Sequence, residues 1–455
     1  MLFRKGHIFS LFSVIIVAAS LLYSCSPVDL DFNPNPAPGR IEEDFDREPV
    51  KEYRNVFLMY SMGFNDLLEF LAEDIDDVLN GPLMKNARDV VLICSHIAKY
   101  ENRGYMQLPF YPSNHVSPTL TKISRRPDGS IQRDTLLVMD EDAVAASSDV
   151  LHEVLTYTKE NFDAENYGIL LSSHGSGWAP EGYLADPSYF EELIPMSLPR
   201  RKYAPGFYQR REDDIPVKSI GVHYISDDET VEMNITDLAD AFPFKMDYII
   251  FDACFMGGVE VAYELRNVTD RLVFSQTEIL GDGMDYKTMT TYLFDSDGPD
   301  LEGFCQRYYD YYNKQSGVYK SATISLVDCS RLESLAQTTQ TLLDKYRDGL
   351  NNLTTTRNVQ KYYRSSYICD QKHRWFYDFG DIMDKCGLSV EDKDLFNEKL
   401  NDAILYKAAT QWFMSDFKIE RHSGLSMYLP YMVDRDYLNN FYKGLEWNKA
   451  VGLIQ

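Results

Sequence analysis

Residues Asp247–Gly258 read DYIIFDACFMGG, and Tyr167–Trp178 read YGILLSSHGSGW. Each is an apolar run rich in β-branched and aromatic residues that ends in small and polar ones. Runs that are apolar at consecutive positions suit strands covered on both faces, the condition of a parallel sheet. After Cys254 the sequence passes at once into a helical pattern, Gly257 to Arg266, so a tight strand-to-helix turn is expected there. Open α/β sheets place their ligands in the crevice beyond the carboxyl ends of the strands. His174 and Cys254 can therefore meet despite the 80 positions between them.

Working outward, similar runs occur at Asn55–Ser61, Asp89–Ser95, Leu272–Ser275 and Ala322–Val327. Between them, Asn65–Asn80 and Ala143–Asn161 carry leucines and valines at helical spacing. The alternation predicts an α/β fold, a mostly parallel central sheet with helices on both faces. Residues 175–219, dense in Pro, Gly, Tyr and charge, read as a long exposed loop. Beyond about residue 330 the pattern turns helical, Arg331–Leu350 and Glu391–Met414, and Gly424–Pro430 (GLSMYLP) returns as a strand. The expected divisions are a leader at 1–24, a tether at 25–52, a main domain at 53–350 and a mainly helical C-terminal part at 351–455.

The leader is read from Arg4 and Lys5, followed by an uncharged, mainly apolar run from Ile8 to Leu22 and then Leu22-Tyr23-Ser24-Cys25. Fifteen residues are short for a membrane-spanning helix, which needs ~20, and are typical of a signal peptide. Leu22–Cys25 resembles a bacterial lipobox, which implies lipidation at Cys25 and a lipid-anchored protein of the cell envelope, on the outer membrane. The prolines at 27, 34, 36 and 38 preclude a helix and predict an extended tether.

Charge narrows the partners. With 45 Lys and Arg against 70 Asp and Glu, the net charge of −25 repels phosphates, so nucleic acid is not an expected partner. Seven cysteines with no CxxC and no zinc spacing argue against a disulfide scaffold or a zinc site. No HExxH, GxSxG, P-loop or dinucleotide fingerprint is present. Asp295–Asp300 (DSDGPD) breaks calcium-loop spacing and reads as a solvated turn. Tyr308, Tyr309, Tyr311 and Tyr312 fall on a helical stretch and read as a core face rather than a sugar platform.

Cysteine nucleophiles need thiolate character and an imidazole to carry protons, and a helix N-terminus lowers a thiol pKa. Cys254 precedes such a terminus, and Gly175 would let a substrate backbone come close. Spacing alone leaves the blander reading open, a small buried cysteine and a hydrogen-bonded histidine.

The pairing of a strand ending in His-Gly with a strand ending in Asp-Ala-Cys resembles the clostripain family of cysteine peptidases, relatives of the caspases, legumains and gingipains. The resemblance extends to Asn55–Leu79, Asn234–Phe242, Phe274–Tyr286 and Gly424–Pro430. It implies a caspase-like sheet and a cysteine endopeptidase that cuts proteins or peptides after Arg or Lys. Carried over by position, it makes Cys254 the nucleophile and His174 the general acid/base, with the backbone N–H groups of Gly175 and Cys254 as oxyanion donors. It makes Asp252 the acceptor for the basic side chain, unless that residue merely caps the next helix or orients backbone. No cofactor is required for the chemistry, although calcium is possible. Where relatives often carry Ser-Glu-Glu, this chain has Ser275-Gln276-Thr277-Glu278, a departure that bears on pocket geometry. The resemblance also allows self-cleavage between Pro199 and Glu212, at Arg200, Arg201, Lys202, Arg210 or Arg211; the other reading is a solvated insertion. A silent binding lipoprotein for a polysaccharide or protein ligand is the alternative function.

Overall fold

The structure is a computed structural model, which describes residues 51–65, 67–82, 86–97, 116–126, 128–140, 142–182, 223–226, 229–356, 358–363, 375–414, 416–430 and 436–455. The strands are β1 (Tyr53–Gly63), β2 (Asp89–Ile97), β3 (Thr119–Arg125), β4 (Ile131–Val138), β5 (Ala164–Ser172), β6 (His223–Ser226), β7 (Glu229–Val231), β8 (Met246–Asp252), β9 (Thr269–Phe274), β10 (Thr323–Asp328), β11 (Lys361–Tyr362), β12 (Phe376–Asp378), β13 (Ile404–Ala409), β14 (Trp412–Phe413), β15 (Phe417–Lys418) and β16 (Ser426–Met427). The helices are α1 (Leu68–Asn80), α2 (Ser148–Asn161), α3 (Ile235–Asp240), α4 (Val259–Leu265), α5 (Tyr286–Leu293), α6 (Leu301–Asn313), α7 (Leu332–Lys345), α8 (Arg347–Thr356), α9 (Phe379–Lys385), α10 (Val390–Ala403), α11 (Asp436–Gly444) and α12 (Glu446–Val451).

Nine strands make one sheet in the order β13-β10-β9-β8-β5-β1-β2-β3-β4. The middle five, β9-β8-β5-β1-β2, are parallel, with antiparallel pairs at both margins. Their register matches the apolar runs, Leu170 opposite Ile250 and Leu58 opposite Ile169. Helices α1, α5 and α6 pack together, while α2, α3, α4, α7 and α12 form a second packed series. Every residue of β8 except Asp247 is buried, as a strand sandwiched between layers requires.

The chain order reverses between β1 and β5, the switch point at which α/β sheets open a crevice. β5 and β8, the strands that carry the two motifs, lie side by side with Ser172 paired to Asp252.

The margins of the sheet depart from the sequence reading. β3 and β4 carried no continuous apolar run, because a sheet margin buries one face only: Leu120 and Ile123 are buried while β4 is largely exposed or half-buried. The helix expected to reach Met414 ends at Ala403, and Ile404–Ala409 pairs antiparallel with β10. The Ile-Leu-Tyr start of that segment favours strand, and pairing with β10 decides it. The Asp295–Asp300 run is a turn in which Asp295 accepts from the Asp297 N–H and Asp300 caps α6 through the Gly303 N–H. Tyr308 and Tyr312 are buried on α6, as a core face should be.

Candidate active site

The turn at Cys254 is built by backbone hydrogen bonds to two later segments. Phe255 N–H donates to the Thr277 carbonyl at 3.0 Å, Gly257 N–H to the Ser275 carbonyl at 2.7 Å, and Ser426 N–H to the Gly257 carbonyl at 2.8 Å. Phe255 is held at φ +58°, a left-handed conformation costly for a bulky residue, and its ring stacks on Phe376 at 4.8 Å. The turn is thereby over-determined, and Cys254 leaves β8 in one fixed direction. Its Sγ accepts the Ile279 N–H at 3.2 Å.

The histidine loop lies directly on this turn. A Cβ placed on Gly175 would meet the Cys254 carbonyl oxygen at 2.2 Å and the Cys254 nitrogen at 2.6 Å, so only glycine allows the approach. Gly177, at φ +61°, is pressed on the Phe255 carbonyl in the same way. Residues 175–180, expected as the start of an exposed loop, are buried, and Gly175 and Gly177 pack on the Cys254 turn. Gly175 and Cys254 thus lie side by side at the ends of β5 and β8. His174 lines a small, mainly apolar cavity together with Met62, Leu171, Met233, Leu238 and Phe251. Cys254 is 1% exposed and His174 is 6% exposed, a site closed to solvent in this form.

Asp252 is fully buried. Its Oδ2 accepts the Ser172 hydroxyl at 3.0 Å and the Tyr286 hydroxyl. It does not cap α4, whose first residue follows Gly258 with no side-chain cap. Burial, with Asp252 beside it, pushes the Tyr286 phenol well up, so it stays a donor. Ser172 and Tyr286 were not singled out in the sequence as partners of Asp252. Tyr286 ends the Phe274–Tyr286 segment, and pairing of Ser172 with Asp252 follows only from strand register.

Gln276 is also fully buried, and it braces the turn from behind. Its amide nitrogen donates to the Gly424 carbonyl at 2.8 Å and to Ser325 Oγ at 3.1 Å. The role demands a donor, which glutamine supplies and glutamate does not.

Four other described thiols are poor nucleophiles. Burial pushes those of Cys94 and Cys305 far up and those of Cys329 and Cys386 to about 12. Among the described residues no group of three or more His, Cys, Asp or Glu could hold a metal ion, and no helix is long and apolar enough to cross a membrane. Cys25, Arg200, Arg201, Lys202, Arg210 and Arg211 lie outside the described residues.

Comparison with known proteins decides the family. The clostripain family model, peptidase C11, matches residues 59–188 and 208–452. This chain belongs to the clostripain family. Its members are cysteine peptidases, and this chain is one of that class. It is 22% identical to clostripain of Hathewaya histolytica over 429 residues, covering 84% of this chain and 75% of that protein. The fold is shared with an inactive zymogen C11 protease from Parabacteroides distasonis, at a TM-score of 0.67, 24% identity and coverage of 89% of this chain and 99% of that one. A secreted C11 cysteine protease from Bacteroides thetaiotaomicron, solved with an irreversible peptide inhibitor, gives a TM-score of 0.65 at 21% identity, covering 88% of this chain and 99% of that one. The mostly parallel central sheet with helices expected from the sequence is the fold of these proteases.

Proposed function

We propose that this peptidase cuts proteins after Arg or Lys, with Cys254 as nucleophile and His174 as general acid and base. The observation that carries the reading is the seating of Gly175 on the Cys254 backbone, which brings the two strand ends to one point. The thiolate would attack the scissile carbonyl, with the oxyanion held by the N–H groups of Gly175 and Cys254. The imidazolium then gives its proton to the departing amine. Water, deprotonated by the same ring, cleaves the thioester and restores the thiol. Calcium dependence, which the resemblance allows, is read by adding a chelator to the hydrolysis assay.

Support for basic specificity comes from the likeness to clostripain and from Asp252, a buried carboxylate two residues before the nucleophile. A guanidinium or ammonium could pair with it in place of the hydroxyls it now accepts. Asp252→Asn should therefore cut kcat/KM for Arg and Lys substrates by roughly 30-fold or more and that for Leu substrates much less. Equal losses for all three would reduce Asp252 to a structural role.

The closed site and the zymogen among the relatives support activation by self-cleavage between residues 199 and 212. We further propose lipidation at Cys25 and residence in the cell envelope, on the grounds of the lipobox alone. A silent binding lipoprotein is not favoured by any observation; turnover of a peptide substrate by the purified chain excludes it.

A further inference from the structure

Glu260 is the second residue of α4, six positions after Cys254, and is fully buried. Its Oε1 accepts the Tyr428 backbone N–H at 2.7 Å and the Tyr442 hydroxyl at 2.8 Å. The rings of Tyr428 and Tyr442 enclose Trp178, with centroids 4.7 and 4.9 Å away, and Trp178 is the end of the histidine loop. Trp178 in turn meets Phe376, on which the ring of Phe255 is stacked. Tyr428 donates to Asn439 Oδ1 of α11 at 3.0 Å, so the C-terminal segment enters the same cluster. The chain of contacts leaves Cys254 by Phe255 and returns to the adjoining helix by Glu260.

We propose that Glu260 is a positioning residue for the catalytic pair, fastening the Trp178 end of the histidine loop to the nucleophile helix through Tyr428 and Tyr442. The inference rests on the Cys254 and His174 reading. It gives α11 a purpose, a clasp across both catalytic segments. Burial raises the Glu260 carboxyl to about 7. The titratable side chain that faces it is the Tyr442 phenol of α11; Tyr428, from the segment after β16, reaches it by its backbone N–H and turns its phenol to Asn439. Its neighbours on and around α4 are turned elsewhere: Glu264 accepts the Glu446 N–H of α12, and Glu333 of α7 accepts the Tyr263 hydroxyl. Among the described residues no cation offsets it, and burial outweighs the two hydrogen bonds, which by themselves favour the charged form; ionisation therefore places an uncompensated charge in the buried cluster, so the clasp is firm when the carboxyl is protonated and weakens as pH rises through about 7.

The experiment compares Glu260→Gln, Tyr442→Phe and wild type over pH, with active sites counted by an irreversible peptide inhibitor. Glutamine keeps the acceptor and cannot ionise. The ratio of its kcat to that of wild type should rise at least roughly fivefold between about pH 6 and pH 8.5, along a single ionisation near 7. Tyr442→Phe should lower kcat at about pH 6 by roughly threefold or more with KM unchanged, since a small misalignment acts on the chemical step. A flat ratio for Glu260→Gln, even with lowered melting temperatures in both variants, would overturn the positioning role. Cys254→Ala run alongside separates the two readings, because activity retained there sinks the dyad itself.

Discussion

At the scale of the residue, the site depends on what two glycines leave out. Gly175 and Gly177 let the histidine loop settle on the peptide planes of Cys254 and Phe255. The clash at Gly175 is with backbone rather than with the end of a flexible side chain, so it cannot be relieved cheaply. Gly175→Ala should shift the loop by a fraction of an ångström to an ångström and lower kcat/KM by roughly 10²-fold while the protein still folds. Activity within about twofold of wild type would mean that the loop is not held against the turn in the working enzyme. That Cys254 and His174 stand at neighbouring strand ends was legible in the sequence, because both follow runs that are apolar at consecutive positions; the glycine after the histidine was read as room for a substrate backbone, whereas it makes room for the backbone of Cys254. Asp252 was legible as a residue but not in its surroundings. Its hydroxyl partners come from an adjacent strand and from the start of α5, and only the folded register brings them together.

At the scale of the element, strands buried on both faces announced themselves and strands buried on one did not. β1, β2, β5, β8, β9 and β10 were found within a few residues of their ends, since a short run that is apolar at every position suits a strand covered by helices on both sides. β3, β4 and β13 lie at the margins of the sheet, where one face is wet and the pattern is diluted by Lys, Thr and Gln. The departure at Gln276 also resolves at this scale. The side chain joins the Gly424 carbonyl and Ser325 behind the Cys254 turn. Gln276→Glu would turn a donor into an acceptor facing that carbonyl in a fully buried place. We expect a loss of roughly 1–3 kcal/mol of stability by denaturant unfolding, with Arg-over-Lys preference unchanged. Unaltered stability together with a changed preference would put residue 276 in the pocket after all.

At the scale of the whole molecule, the segments that build the site are spread from β1 to α11 yet converge on the carboxyl ends of β5 and β8. The Ser275–Thr277 segment, the late strand and α11 all reach the Cys254 turn or Glu260. That convergence was only partly legible, because aromatic clusters and buried carboxylates far apart in sequence carry no local signature. The central claim is that one thiol, activated by one imidazole, performs the hydrolysis. It is tested most directly by exposing the purified chain to a peptide-based alkylating inhibitor with a basic terminal residue and locating the adduct by peptide mass spectrometry. The account predicts one adduct per chain, on Cys254, absent from Cys254→Ala and at least roughly tenfold slower in His174→Ala. An adduct on any other cysteine, or labelling of Cys254 at an undiminished rate without His174, would contradict it.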